Sequence, residues 1–250
     1  MLLYFARQDL AQRFTGNALG VAWAVLAPLL QLALFAFVFS VIFKARVPGL
    51  DGMGYVAFLS LAMWPWFAFA EAVARATTAL TEQSALLGKV AVSPVVLVAA
   101  RVLTAFALHG VGFVLVLAVL TGLQAGVSPL YLPAVLPAWS GLLLLAFGAG
   151  LLLALGNVFV RDLQQIVAYL LPALMFLSPI LYPVAFAPAA MAWWWRMNPI
   201  AGYVEAVRDP LLFRQLDGTL PLAAFAITAV FLALAWLLYR RLRAHVVDFL

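Results

Sequence analysis

Few side chains in this sequence could do chemistry, and the most informative ones lie within long apolar runs. Glu71 is an acid inside such a run, and Arg75 follows it at the i+4 spacing that favours an ion pair on a helix. Arg101, in the next run, could pair with Glu71 or extend to the inner membrane surface. A charge at mid-bilayer costs roughly 2.5–3.5 kcal/mol. We therefore expect Glu71 and Arg101 to form structural ion pairs rather than an ion pathway, and His109 to make a hydrogen-bonded helix contact.

The sequence lacks the motifs of a self-contained enzyme. It contains no G-x-x-x-x-G-K-[ST] phosphate loop, no H-E-x-x-H helix and no G-x-S-x-G turn. Cysteine is absent and the two histidines are His109 and His245, so we expect no catalytic site, no disulfide and no metal site. If the protein uses nucleotide energy, another polypeptide must bind the nucleotide. An ion-coupled carrier would place carboxylates near the midplane of the membrane, and the sequence predicts none there.

The composition indicates a protein dissolved in a bilayer. Of its 250 residues, 68% are hydrophobic and 9% are charged, whereas a soluble domain is about 45–50% apolar and about 25% charged. The mean hydropathy is +1.13. The net charge is +5, and the basic residues are scattered between the apolar runs and form no patch. We therefore assign the basic residues to membrane orientation and expect no nucleic-acid partner.

Six apolar runs are long enough to cross the membrane. A helix needs about 20 apolar residues to span roughly 30 Å of hydrocarbon. The runs cover about residues 21–43, 55–74, 95–121, 131–158, 163–182 and 220–239. The fold class expected is an all-α integral membrane protein with six transmembrane helices in a single domain over residues 1–250. The first run is too long and too far from the start for a signal-peptide core, so we expect it to be retained.

The distribution of Lys and Arg predicts that both termini lie inside. Eight basic residues fall on the side of the termini, namely Arg7, Arg13, Arg75, Lys89, Arg161, Arg240, Arg241 and Arg243. Five fall on the opposite side, where acids nearly cancel them, namely Lys44, Arg46, Arg196, Arg208 and Arg214.

Two segments outside the predicted spans have a membrane-surface character. Residues 1–20 are amphipathic, which predicts an interface helix with its arginines toward anionic headgroups, and a solvated tail is the alternative. Residues 183–219 are too apolar for an aqueous loop and contain Trp193–Trp195 and Asn198-Pro199. They predict one or two short half-helices that re-enter the outer leaflet, and a flat interfacial aromatic belt is the alternative.

Aromatic residues crowd three of the predicted spans. Stacked aromatic faces can hold sugar rings without fixing them, which suits a sliding polymer, whereas packing or lipid contact is the commoner role of a single ring. The candidate channel aromatics are Phe35, Phe39, Phe43, Tyr55, Phe58, Trp64, Trp66, Phe67, Phe69, Tyr169 and Phe176. Ala146, Gly150 and Ala154 form a ridge of small residues that would allow close helix approach.

Three stretches carry a family resemblance. Residues 7–28 read RQDLAQRFTGNALGVAWAVLAP, residues 158–183 read VFVRDLQQIVAYLLPALMFLSPILYP, and residues 198–212 read NPIAGYVEAVRDPLL. In this order and spacing the chain resembles the membrane subunit of type-2 ABC polysaccharide exporters, which move O-antigen, teichoic acid or capsule chains out of bacteria. The sequence departs from the family pattern after Lys89, where VAVSP replaces a basic-aromatic-Pro sequence. Permeases for a small hydrophobic drug or a lipid are the alternative.

The resemblance implies a partner set and a list of functional residues. It implies a homodimer in the bacterial cytoplasmic membrane, a lipid-linked polysaccharide substrate, and a separate ATPase that binds ATP and Mg, so that this chain holds no cofactor. Residues 75–94 would contain a coupling helix that docks on the ATPase, and residues 183–219 an outer gate. The implied coupling residues are Arg75, Thr81, Glu82, Leu86, Leu87, Lys89, Arg7 and Arg13. The implied gate residues are Asn198, Pro199, Tyr203 and Arg208.

Overall fold

A computed structural model describes residues 1–14, 20–47, 53–87, 92–184, 188–216 and 219–243. These residues form helices and connecting turns and contain no strand, which confirms the all-α class. The helices are α1 Leu2–Phe14, α2 Trp23–Ala36, α3 Gly54–Glu82, α4 Ser84–Leu87, α5 Pro94–Gly122, α6 Leu132–Phe159, α7 Leu163–Leu177, α8 Ala192–Met197, α9 Pro199–Arg208 and α10 Thr219–Leu242. A π-helical turn extends α2 over Phe37–Ile42, and another extends α9 over Asp209–Phe213.

Five helical segments are long and apolar enough to cross a membrane. They are Trp23–Ile42, Gly54–Glu82, Pro94–Gly122, Pro129–Phe159 and Leu222–Leu242. The fifth predicted span instead gives the 15-residue helix α7, which is about 22 Å long. It ends at Leu177 because Ser178 precedes a proline and adopts an extended conformation. Sequence and structure therefore agree on five of the six predicted spans, and a membrane crossing by the fifth predicted span stays a prediction.

Helix α3 is the centre of the bundle. Of the residues in its apolar 18-residue stretch, 83% are buried, whereas only 6% are buried in the corresponding stretch of Trp23–Ile42. It packs mainly against α5 and α6 and also touches α7 and α9. Trp64 and Tyr203 are the largest fully buried side chains. The interior of the protein is thus built from α3, α5 and α6, while α2 lies at the periphery.

The helix α3 extends beyond its predicted end. The sequence placed the end of this span near residue 74, but α3 continues unbroken to Glu82. Ala76, Ala79 and Leu80 are buried, so this part still packs as a helix against its neighbours. The predicted coupling segment of residues 75–94 therefore begins as the last two turns of α3 and continues as the single turn α4.

The small-residue ridge on α6 contacts α3. Ala146 and Ala154 are fully buried, and a Cβ built on Gly150 would lie 2.6 Å from the Ala76 Cβ. Such an overlap requires the helices to separate, because neither atom belongs to a flexible side chain. The predicted close approach is confirmed at Gly150, and Ala146 and Ala154 are buried on the same helix.

Replacing Gly150 by alanine should destabilise the α3–α6 contact. We expect Gly150→Ala to lower the stability of the purified protein by about 1–3 kcal/mol through overpacking, although alanine is the better helix former. Thermal melting in lipid nanodiscs would measure the loss. Gly122→Ala is the matched control, because nothing lies within 4 Å of its added Cβ. An unchanged melting temperature for Gly150→Ala would contradict the close approach.

Candidate functional site: an inner ionic cluster and an outer polar clamp

A cluster of charged side chains joins α1, α3 and α5. We call it the inner ionic cluster because it lies toward the end of α3 that the sequence predicts to be cytoplasmic. Its members are Asp9, Arg13, Glu71, Arg75, Glu82, Arg101 and His109. Arg13 donates to both oxygens of the Glu71 carboxylate, with Nη2 lying 2.8 Å from Oε2. His109 Nε2 lies 3.0 Å from Glu71 Oε2. Because an ionised carboxylate only accepts hydrogen bonds, the histidine is the donor.

Asp9 is the most buried carboxylate of the cluster, with 4% of its surface exposed. Its Oδ1 lies 2.7 Å from Arg75 Nη2 and 2.9 Å from Arg101 Nη1. Arg101 also donates through Nη2 to Glu82 Oε2 at 2.8 Å. The N-terminal helix is therefore held to the two central helices by one carboxylate that binds an arginine from each.

The pairing predicted for Glu71 and Arg101 was partly wrong. Both are in ion pairs, but the described side chains place Arg101 against Asp9 and Glu82, not against Glu71. The i+4 contact is present, with Arg75 Nη1 3.7 Å from Glu71 Oε1. The hydrogen-bonded helix contact of His109 is confirmed. Sequence reasoning missed Asp9 as a partner, because the pattern of α1 does not tell which of its faces turns inward.

The side chain of Arg13 faces the helix bundle, whereas the sequence predicted that it faces the lipid headgroups. Leu3, Tyr4 and Leu10 are exposed, whereas Asp9 and Arg13 turn toward the bundle. Arg7 is exposed and remains free to face headgroups or a partner. Asp9 and Arg13 bind charged partners on α5 and α3 instead of facing the membrane surface, because an ion pair is screened less inside the protein than in water.

The predicted coupling residues fall into two groups. Arg13 and Arg75 are engaged inside the chain, which does not favour direct docking of either side chain on a partner. Glu82 is half exposed. Thr81 and Leu86 are partly buried and Leu87 is buried. Lys89 lies outside the described residues.

A second polar cluster, which we call the outer polar clamp because it lies at the opposite end of α3, holds the irregular backbone after α7. The clamp residues are Tyr55, Asn198 and Arg208, and they bind Ser178–Leu181. Asn198 Nδ2 donates to Ser178 Oγ at 2.8 Å, and its Oδ1 caps α9 by accepting from Ile200 N at 3.0 Å. Tyr55 Oη donates to the Leu181 carbonyl at 2.8 Å.

Arg208 is the main donor of the clamp. Its Nη1 and Nη2 donate to the Pro179 carbonyl at 3.1 Å, and Nη2 also donates to the Ile180 carbonyl at 3.1 Å. The guanidinium carbon lies 3.5 Å from the centroid of the Phe58 ring, a cation–π contact. Burial lowers the pKa of Arg208 to about 10, while Glu205 and Asp209 act against that shift. The side chain is therefore charged at neutral pH.

The other gate residues have structural partners as well. Pro199 is the first residue of α9, where its missing N–H has no helical partner to lose. Tyr203 Oη lies 2.7 Å from Thr228 Oγ1 of α10. Two short helices, α8 and α9, lie where one or two half-helices were expected, and neither is long enough to span the membrane.

The predicted channel aromatics separate into a ladder and a core. Phe39 contacts Phe35, Phe43 and Tyr55, with ring centroids 6.2, 5.7 and 6.4 Å apart, and Tyr55 continues to Phe58 at 6.2 Å. Six of the eleven are buried within the chain, namely Tyr55, Phe58, Trp64, Trp66, Phe67 and Phe69. These six pack the interior of one copy. A channel between two copies would be lined by side chains at the surface of each copy, so the prediction that these six line the channel is corrected. The exposed members are Phe43, Tyr169 and Phe176.

Comparison with known proteins identifies the family. Residues 2–212 match the model of the ABC-2 type transporter family. The chain belongs to this family. The O-antigen export system permease protein RfbA of Myxococcus xanthus is 28% identical over 240 residues, covering 94% of this chain and 88% of that protein.

Two further relatives of this ABC-2 permease have similar coverage. An O-antigen export system permease protein RfbA of Klebsiella pneumoniae is 24% identical over 227 residues, which is 88% of this chain and 82% of that protein. The polysialic acid transport protein KpsM of Escherichia coli is 26% identical over 239 residues, which is 93% of this chain and 90% of that protein. The protein is therefore a multi-pass membrane protein of a transporter family.

Neutralising Arg208 should loosen the outer clamp. In Arg208→Gln the carbonyls of Pro179 and Ile180 lose their charged donor, at a cost of about 1–3 kcal/mol for each unsatisfied group. We expect a lower melting temperature and faster amide hydrogen exchange at residues 180–182. Arg196→Gln is the control, because Arg196 is an exposed arginine of the neighbouring helix α8. Equal exchange in both variants would contradict the clamp.

Neutralising Asp9 should release α1. Asp9→Asn leaves the guanidinium groups of Arg75 and Arg101 without their shared carboxylate, and we expect a loss of about 3–5 kcal/mol in the free energy of unfolding. Glu82→Gln should lose less than about 1 kcal/mol, because Glu82 is half exposed. Thermal melting and proteolysis of α1 in nanodiscs would separate the two. A loss no larger than that of Glu82→Gln would show that Asp9 does not hold the helix.

Proposed function

We propose that this chain is the membrane subunit of an ATP-driven exporter that moves a lipid-linked polysaccharide across the bacterial cytoplasmic membrane. The observation that carries the proposal is the near full-length similarity to permeases named for O-antigen export and polysialic acid transport. These relatives do not favour the alternative of a small hydrophobic drug or lipid. The polymer would be of the O-antigen, capsule or teichoic-acid type.

The energy would come from a separate ATPase that holds ATP and Mg. The absence of a phosphate loop from the sequence supports this division of labour. With both termini in the cytoplasm, the inner end of α3 and the turn α4 would face that partner. Glu82 and Ala85 are exposed there, and Arg7 is exposed on α1. These positions are the best supported contacts for coupling.

Two copies of the chain would enclose the transport path. The weak packing of α2 and α7 supports this arrangement, because both helices have broad exposed apolar faces. Phe43 at the end of the first span, and Tyr169 and Phe176 on α7, lie on these faces. A polymer that slides between two such faces would meet aromatic rings and few charges.

Helix α3 would transmit the movement of the ATPases. Its 29 residues extend about 43 Å, from the turn α4 to Tyr55 in the outer clamp. A rigid-body shift of α3 at its inner end would therefore reach the backbone after α7 directly. In this mechanism the outer clamp, with α8 and α9, acts as the gate.

Deleting this chain in its host tests the proposed function. We expect the surface polysaccharide to disappear and the lipid-linked polymer to accumulate inside the cell, because synthesis continues without export. Deletion of the partner ATPase should cause the same two changes. Expression of the wild-type chain in the strain that lacks it should restore the surface polysaccharide. Measurement requires extraction and gel analysis of surface and membrane-bound polymer. Surface polysaccharide that persists without internal accumulation would refute the proposal.

A further inference from the structure

An inner groove separates α2 from α3 and α5. It has a volume of about 240 Å³. The groove is open on one side, and its lining combines charged, polar and aromatic groups. The residues that matter for its chemistry are Arg13, Trp23, Gln31, Phe67, Glu71 and His109. It lies outside the aromatic ladder and outside the outer clamp.

The groove lies at a depth where hydrocarbon surrounds the protein. The helical rise places Glu71 about 26 Å from the first residue of α3 and about 16 Å from its last. His109 lies near the middle of α5. Trp23 is the first residue of α2, Gln31 lies about two turns further along it, and both line the groove with Arg13 at the end of α1. In the proposed orientation the groove therefore opens in the inner half of the bilayer.

The polar groups of the groove are not fully enclosed by protein. The side chains of Glu71 and Arg13 are 21% and 22% exposed although they pair with each other. Lipid chains cannot solvate this remaining polar surface, and exposing it to them is unfavourable. Water or a polar ligand in the groove would solvate this surface. An apolar acyl chain would be a poor occupant.

The charge and shape of the groove select the class of ligand. Arg13 and Glu71 cancel, so the groove offers neither a net positive charge for a phosphate nor a net negative charge for a metal cation. Trp23 is 43% exposed, and Gln31 is exposed. An aromatic face beside a carboxylate and an amide suits a ring that is apolar on its faces and carries hydroxyls on its rim.

We propose that the inner groove binds a neutral sugar residue of the lipid-linked polymer before translocation. Trp23 stacks on the ring, Gln31 hydrogen-bonds its hydroxyls, and the Arg13–Glu71 pair forms a polar floor that His109 holds in place. This assignment rests on the proposed function and names a recognition site for its substrate. The binding residues come from α1, α2 and α3, so occupancy would also bring the loosely packed helix α2 toward the core.

Substrate-stimulated ATPase activity of the whole transporter tests this site. The probe is the lipid-linked polymer extracted from the deletion strain, added to the complex of this chain and its ATPase in nanodiscs. We expect the double variant Trp23→Ala/Gln31→Leu to raise the concentration for half-maximal stimulation by about tenfold, through loss of one stacking and one hydrogen-bonding contact. The matched control, Trp236→Ala/Gln215→Leu, removes an exposed Trp of α10 and an exposed Gln outside the helices proposed to line the path, and it should behave as wild type.

Competition with the free polysaccharide, released from its lipid, identifies the part of the substrate that is bound. It should compete with the probe in the wild-type complex and lose this effect in the double variant. If the double variant responds like wild type, or if free polysaccharide fails to compete in the wild-type complex, the sugar assignment is overturned while the proposed function stands. If the wild-type complex is not stimulated and the deletion strain accumulates no polymer, the proposed function itself fails.

Discussion

Hydrocarbon offers no hydrogen bonds, and the two polar clusters of this protein are the consequence of that constraint. The backbone of Ser178–Leu181 leaves the helical conformation, so its carbonyls need donors from elsewhere in the chain. Arg208 and Tyr55 supply them. The inner ionic cluster answers the same constraint for charges, since three carboxylates and three guanidinium groups balance within it.

The clusters are joined by a single helix. Glu71, Arg75 and Glu82 lie on the inner half of α3, and Tyr55 lies at its other end. Both clusters therefore depend on the position of α3, which is also the most buried span. Close contact with the small-residue ridge of α6 gives this helix little freedom to bend, so it moves most easily as a unit. A permease that must relate events on its two sides of the membrane has in α3 a direct mechanical connection.

The peripheral helices have the opposite character. Helices α2 and α7 bury little of their surface within one copy and present aromatic and aliphatic side chains outward. In the proposed function these faces meet a second copy or the polymer, so their weak packing is what allows the path to open. The inner groove lies between α2 and the rigid centre, where movable and fixed parts of the protein meet.

Composition and residue order alone determined the class of this protein. An apolar run of 20 residues has one stable conformation in a bilayer, which is why the long spans and the all-α class followed from the sequence. The i+4 pair of Glu71 and Arg75, the close-approach ridge around Gly150, and the short outer helices also followed, because each depends on residues near one another in the chain.

Contacts between distant residues were decided only by the tertiary structure. One partner of Arg101 is Asp9, 92 positions away, whereas the sequence alone offered Glu71, a charge at similar depth. The burial of Trp64 and Trp66 likewise depends on the helices that surround α3, because an aromatic run has the same sequence pattern whether it faces a channel or the protein core. Helix periodicity specifies which residues share a face, but only the packing of the other helices decides where that face points.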